Sequence, residues 1–277
     1  MELVSSNKSF GGYQKVFKHQ SETLGCSMNF GVYLPPGHGP CPVLYYLSGL
    51  TCTEKNCIEK GQFQRKAAEL GIAVVLPDTS PRGLNIPGED DSWDFGTGAG
   101  FYLDATKEPY AKNYKMYSYI TKELPAVLSS IKRLNLEKSS ITGHSMGGHG
   151  ALTIFLKNSN QYKSVSAFAP ICNPLNCAWG EKAFNGYLEN GLKDGKEYDA
   201  AELVKDYSGE KIEILIDQGR SDCFYPDQLQ SESIIKAAAD KDNVAVNLRL
   251  HDDYDHSYYF ISTFMNDHLE FHAKYLC

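Results

Sequence analysis

Short runs of strand length, most of them continuously apolar, fall at residues 27–34, 43–47, 72–76, 139–142, 164–169, 212–217 and 244–250. Between and after them, residues 57–70, 117–134, 148–156, 228–239 and 258–275 have helical spacing. Such alternation predicts a parallel sheet covered by helices on both faces. Pro125 lies inside the second helical stretch and predicts a kink or a break there. Segments 77–110 and 170–186 carry Gly, Pro and Asp with little periodicity, and they are expected to be irregular. No composition shift, linker or internal repeat divides the chain, so a single α/β domain over residues 1–277 is expected.

At the end of the run 139–142 stands Gly143-His144-Ser145-Met146-Gly147, a Gly-x-Ser-x-Gly pentapeptide. Its flanks suit a strand that turns sharply into a helix. A serine at such a turn is held in a strained conformation with its hydroxyl projecting beyond the sheet, and the glycines remove the Cβ atoms that so tight a bend would crush. In open α/β sheets ligands sit beyond the carboxyl ends of the strands, which is where this turn falls.

A serine hydroxyl becomes a nucleophile only when a base takes its proton. The acid and then the histidine should follow in loops after later strands. His256 lies past the run 244–250 and before the last helical stretch, and is the expected base. His251 abuts the strand and reads as an edge residue. His268 and His272, four apart on one helical face, have the spacing of a metal pair but no evident third ligand, so they read as a packing or solvated face. Asp217 and Asp222 both follow the run 212–217. Asp222, out in the loop, is the expected acid, reaching the histidine Nδ1–H to fix its tautomer. Asp217 reads as structural, holding the loop through backbone N–H groups. Asp252, Asp253 and Asp255 lie too near His256 in sequence to fit a strand-separated pattern.

Attack on a carbonyl places charge on oxygen, which calls for two preorganised donors. The N–H of Met146, next to the serine, is one candidate. Leu50, in the turn Ser48-Gly49-Leu50-Thr51-Cys52 after the run 43–47, is the other.

The chain has 277 residues, 42% of them hydrophobic, ample for a sizeable core. Its formal net charge of −7 argues against nucleic acid or an anionic membrane as partner. No apolar run nears the roughly 20 residues that span a bilayer. The start, Met1-Glu2-Leu3-Val4-Ser5-Ser6-Asn7-Lys8, has no apolar signal core, so secretion is not expected. Eight scattered cysteines suit free thiols in a reducing cytosol.

Several blocks together resemble the S-formylglutathione hydrolase (esterase D) family of the α/β-hydrolase superfamily. They are Leu47–Thr53 (LSGLTCT), Pro77–Gly83 (PDTSPRG), Ser92–Tyr102 (SWDFGTGAGFY), Gly143–Gly150 (GHSMGGHG), Lys163–Pro174 (KSVSAFAPICNP) and Tyr254–Phe260 (YDHSYYF). The resemblance runs nearly end to end. It implies an α/β-hydrolase fold, a cytosolic enzyme without cofactor or metal that often forms homodimers, and Ser145, Asp222 and His256 as catalytic residues. The implied reaction is hydrolysis of S-formylglutathione to glutathione and formate, with a general short-chain carboxylesterase as the alternative. A formyl group needs a small acyl pocket, for which Trp179, Trp93 and Phe95 are the candidate walls. Cys52, close after the proposed oxyanion turn, is a candidate redox-sensitive thiol. Cys57 departs from the family, in which an aromatic commonly follows the asparagine that is Asn56 here. No basic cluster marks where the glutathione carboxylates would bind.

Overall fold

The computed structural model describes residues 1–277. Nine strands form one sheet: β1 (Glu2–Ser9), β2 (Gly12–Gln20), β3 (Ser27–Leu34), β4 (Cys41–Leu47), β5 (Ala73–Pro77), β6 (Leu134–Gly143), β7 (Tyr162–Phe168), β8 (Ile212–Gly219) and β9 (Val244–His251). Their spatial order is β1-β2-β3-β5-β4-β6-β7-β8-β9. β1 to β3 run antiparallel along one side, and the strands from β5 to β9 are mutually parallel. The helices are α1 (Glu54–Lys60), α2 (Gln64–Leu70), α3 (Met116–Ser118), α4 (Leu124–Leu128), α5 (Met146–Lys157), α6 (Ala178–Tyr187), α7 (Leu192–Gly195), α8 (Ala200–Asp206), α9 (Glu232–Ala238) and α10 (Tyr258–Leu276). This mostly parallel sheet clad in helices is the α/β-hydrolase fold, with a core of 68 buried apolar residues.

Where the structure departs from the pattern, local chemistry explains it. The helix expected over 57–70 is two helices. Thr53 caps α1 through a capping box with Asn56, and Gly61 and Gln62 then end it, the latter at a left-handed φ of 55°. The stretch 117–134 is helical only to Leu128, and a π turn over Tyr119–Glu123 comes just before Pro125. A proline ring collides with the carbonyl four residues back in a regular helix, and the wider turn relieves that. Residues 170–186, expected to be irregular, include most of α6.

The hairpin β1–β2 gave no apolar signal because β1 is almost wholly exposed. Its turn is Phe10-Gly11, both at positive φ, which meets the demand of a tight hairpin turn without the usual Asn-Gly pair.

The polar run Ser139-Ser140-Ile141-Thr142 forms the buried end of β6 because α10 supplies partners for it. Ser140 and Thr142 bond to Ser164 and Ser166 of β7 at 2.7 and 2.8 Å. His272 bonds both of those serines, and His268 links Ser166 to Asp217. The two histidines four apart on α10 therefore face inward, fully buried, as a hydrogen-bonded packing face. Satisfying every member is what allows so polar a chain inside the molecule.

Candidate active site

β6 ends at Gly143 and α5 begins at Met146, so two residues make the whole turn. Ser145 sits between them at φ 59°, ψ −121°, a strained conformation for a residue with a side chain. Its N–H donates to the Phe168 carbonyl and the His144 N–H to that of Leu47, pinning the turn to β7 and β4. A Cβ on Gly147 would stand 2.0 Å from the Leu47 oxygen, and one on Gly143 would stand 2.2 Å from the Gly147 oxygen. Only glycine fits at either position.

Asp222 lies three residues past β8, and His256 lies between β9 and α10. The loops that carry them are tied together by Ser221 N–H to Tyr254 O at 3.0 Å and Arg220 N–H to His251 O at 2.9 Å. As a result His256 Nδ1 meets Asp222 Oδ2 at 2.5 Å, and His256 Nε2 meets the Ser145 hydroxyl at 2.9 Å. Asp222 is further oriented by the Phe224 N–H at 2.9 Å and the Gln218 amide at 3.3 Å. Ser145 is 3% exposed and the Asp222 side chain is fully buried, whereas that of His256 is partly exposed.

The turn after β4 faces Ser145. A Cβ on Gly49 would stand 3.1 Å from the Ser145 Cβ, so the loop backbone lies directly against the serine. The N–H groups of Leu50 and Met146 take part in none of the turn and loop hydrogen bonds, which leaves both free to bind a ligand oxygen. Thr51 N–H is held by the Gly98 carbonyl at 2.9 Å, and the Cys52 carbonyl accepts from Thr79 Oγ1 and Arg82 Nη2. Arg82 is in turn paired with Asp78. The blocks at Pro77–Gly83 and Ser92–Tyr102 thus brace this loop, although little in them has regular secondary structure.

A family model described as "Putative esterase" matches residues 21–271. The S-formylglutathione hydrolase of Mus musculus is 57% identical, covering 100% of this chain and 99% of its own length. That of Arabidopsis thaliana is also 57% identical, over 99% of this chain and 97% of the relative. The solved structure of an S-formylglutathione hydrolase from Agrobacterium tumefaciens superposes with a TM-score of 0.96 at 52% identity, covering both chains in full. The chain belongs to the S-formylglutathione hydrolase family.

In this member of the family a cavity of about 270 Å³ opens over Ser145, with Leu50, Cys52, Trp93, Trp179, Phe224, His256 and Tyr258 among its lining residues. Trp179 packs edge-on against Trp93 at 5.7 Å and against Phe224 at 4.8 Å, and Phe224 meets the His256 ring at 5.1 Å. Both tryptophans named from the sequence are therefore at the cavity. Phe95 is not. It stacks on Tyr187 at 4.4 Å and edges onto Tyr110, away from the serine, where Gly186 leaves room for its ring. Asp94, beside it, is fixed instead by Lys182.

Three residues of the site had no advance reading. Phe224 stands two positions after Asp222, a proximity that could have flagged it. Tyr258, at the start of α10, lies in the YDHSYYF block. His144 lies inside the serine motif itself, and its ring tilts against His256 at 4.4 Å with its own Nε2 unpartnered. Burial, with a smaller contribution from His256, holds the His144 imidazole well below its ordinary pKa, so it is neutral.

Asp217 is structural, as read from the sequence, but not through backbone N–H groups. Its carboxylate is gripped by Arg249, His251 and His268. Burial opposes its charge, but those three partners outweigh burial and hold the carboxyl well below the usual range. Cys57, where the family commonly has an aromatic, is fully buried beside Gly61, and a Cβ on that glycine would come within 2.6 Å of its sulfur. All eight cysteines are free thiols, and no helix is long and apolar enough to cross a membrane.

Proposed function

We propose that this chain hydrolyses S-formylglutathione with Ser145 as nucleophile, His256 as base and Asp222 as the group that orients and balances it. The observation that carries the assignment is the continuous line Asp222–His256–Ser145 at 2.5 and 2.9 Å beneath a small aromatic cavity. Ser145 Oγ attacks the thioester carbonyl while its proton passes to His256 Nε2. The Asp222 carboxylate stabilises the resulting imidazolium. The carbonyl oxygen, now anionic, is received by the N–H groups of Leu50 and Met146. The carbon–sulfur bond then breaks. A thiolate is a good leaving group and needs less help than an amine would, and the proton on His256 passes to the departing sulfur, so the imidazole is neutral again. Water enters, gives its proton to His256 and attacks the formyl-serine, releasing formate.

The cavity volume favours a small acyl group, since it sits at or below the lower end of ordinary ligand pockets, roughly 300 Å³. Comparing kcat/KM for S-formylglutathione, S-acetylglutathione and longer aryl esters tests this. Preference for the formyl thioester is expected, whereas preference for long acyl chains would replace the reading with a general carboxylesterase. Ser145→Ala should lose turnover on every substrate, by about 10⁴-fold or more.

Cys52 borders the cavity, and its alkylation would obstruct the site. Burial pushes the thiol pKa up, so the reaction is slow at neutral pH and faster in alkali. If Cys52→Ser is inactivated by N-ethylmaleimide as fast as the parent, that role is wrong. The eight free thiols support residence in a reducing cytosol, with the chain acting as one catalytic domain. Sedimentation equilibrium tests the homodimer that family membership suggests.

A further inference from the structure

The acidic sequence gave no place for the glutathione carboxylates, yet the fold leaves a second, larger hollow that shares Tyr258 with the serine cavity. Its volume is about 600 Å³, and it lies between the C-terminal end of α1 and the first turn of α10, with Glu59, Lys60, Gln62, Tyr258 and Tyr259 on its walls. Tyr258 also lines the cavity over Ser145, so one side chain is the partition between the two spaces. Lys60 lies near enough to Cys52, another wall of the serine cavity, for its charge to favour the Cys52 thiolate.

Neither Glu59 nor Lys60 forms an ion pair with another residue of the protein, although the molecule pairs many of its charges elsewhere. Tyr259 projects 84% exposed at the rim, unusual for so large an aromatic ring. Between the two charges and α2, Gln62 is held at the left-handed φ already noted.

We propose that this hollow is the subsite for the glutathionyl portion of the substrate, with Lys60 as the countercharge to one of its carboxylates and Glu59 facing its ammonium group. The inference rests on the function proposed above. The chemistry matches in kind and in place. The γ-glutamyl end of glutathione carries a carboxylate and an ammonium on one carbon, and Glu59 and Lys60 are consecutive residues of opposite charge. A tripeptide arm spans roughly 3.5 Å per residue, so a sulfur held at Ser145 leaves its arms in an adjoining hollow. The formyl group needs only the small cavity, and the large polar remainder goes past Tyr258.

The test is steady-state kinetics of the parent, Lys60→Ala, Lys60→Glu and Lys60→Arg with S-formylglutathione and with neutral 4-nitrophenyl acetate. The selectivity ratio, kcat/KM for the thioester over that for the ester, should fall about threefold in Lys60→Ala and about tenfold in Lys60→Glu, through KM rather than kcat. Lys60→Arg should restore most of it, and added salt should raise the parent's KM for the thioester alone. Because Lys60 is exposed and unpaired, thermal melting of the variants is expected to match the parent. An unchanged ratio in Lys60→Glu, with thioester hydrolysis intact and dependent on Ser145, would overturn the subsite while leaving the proposed function standing. Failure of the parent to hydrolyse S-formylglutathione while it turns over the neutral ester would overturn both.

Discussion

Two aspartate–histidine pairs stand side by side in this molecule, and each is separated by the same 34 residues: Asp217 with His251, and Asp222 with His256. Strand β8 and the loop after it supply both acids, and β9 and the loop after it supply both bases. Their fates differ because of where the strands end. Asp217 is still in the ladder, in register with Arg249, and its fully buried carboxylate is surrounded by one guanidinium and two imidazoles. No nucleophile reaches it. Asp222 lies beyond the last paired residue, has one imidazole, and that imidazole has its other nitrogen on Ser145. An acid–imidazole contact is therefore common to a structural clamp and to the proposed catalytic site. What separates them is that His256 has its second nitrogen on Ser145, whereas His268, the other imidazole on Asp217, has its own on Ser166 of the sheet.

Exchanging carboxylate for amide at the two positions should split the comparison cleanly. Asp222→Asn is expected to lower kcat by about 10⁴-fold, because the amide no longer fixes the imidazole tautomer, with little change in melting temperature. Asp217→Asn should instead destabilise the fold by about 3 kcal/mol, leaving Arg249 and the imidazoles without their counterion, while activity per folded molecule is retained. Parallel chemical denaturation and kinetics would show it, and the comparison fails if the two variants trade effects.

The aromatics sharpen the same distinction between site and fold. Trp179→Ala widens the cavity and should raise the preference for S-acetylglutathione over S-formylglutathione by about tenfold, the order of effect that one methylene exerts in an apolar pocket. Phe95→Ala should leave that preference alone and lower stability by about 2 kcal/mol, since its ring packs on Tyr187.

Counted per side chain, the smallest expected effect is on pH. Burial keeps His144, His149 and His272 neutral, lowering each below the ordinary 6.5, His149 to about 4. Below about pH 6.5 the unfolded chain binds protons that the native state refuses, so stability is full above that pH and falls as pH drops toward 4. The loss should be on the order of 1 kcal/mol per imidazole by about pH 5.5, read from urea midpoints measured between pH 7 and 5. Replacing His149 by a neutral residue that still packs should flatten the curve.

Much of this was legible in the sequence where local chemistry has one solution. The strands from β3 to β9 were each placed to within a few residues except β6, whose first half pairs with Cys41 and Pro42 through a bulge and carries no apolar run. Gly143, Ser145 and Gly147 mark the turn because no other residues fit it. The blocks at Pro77–Gly83 and Ser92–Tyr102 were visible as blocks, but their bracing of the Leu50 turn depends on long-range bonds such as Thr51 to Gly98.

By itself the sequence determined the parallel sheet, the strained serine and the order in which an acid and a histidine must follow it, since periodicity and turn sterics act over a few neighbouring residues. The loop positions of Asp222 and His256 already singled them out in the sequence. Only the tertiary structure decided that Asp217 is held by Arg249, His251 and His268, that Phe95 packs on Tyr187 while Phe224 lines the cavity, and that Lys60 lines a hollow sharing Tyr258 with it. Those outcomes depend on where strands stop and which loops pack together, and residues 34 or 111 positions apart become neighbours only when the sheet is assembled.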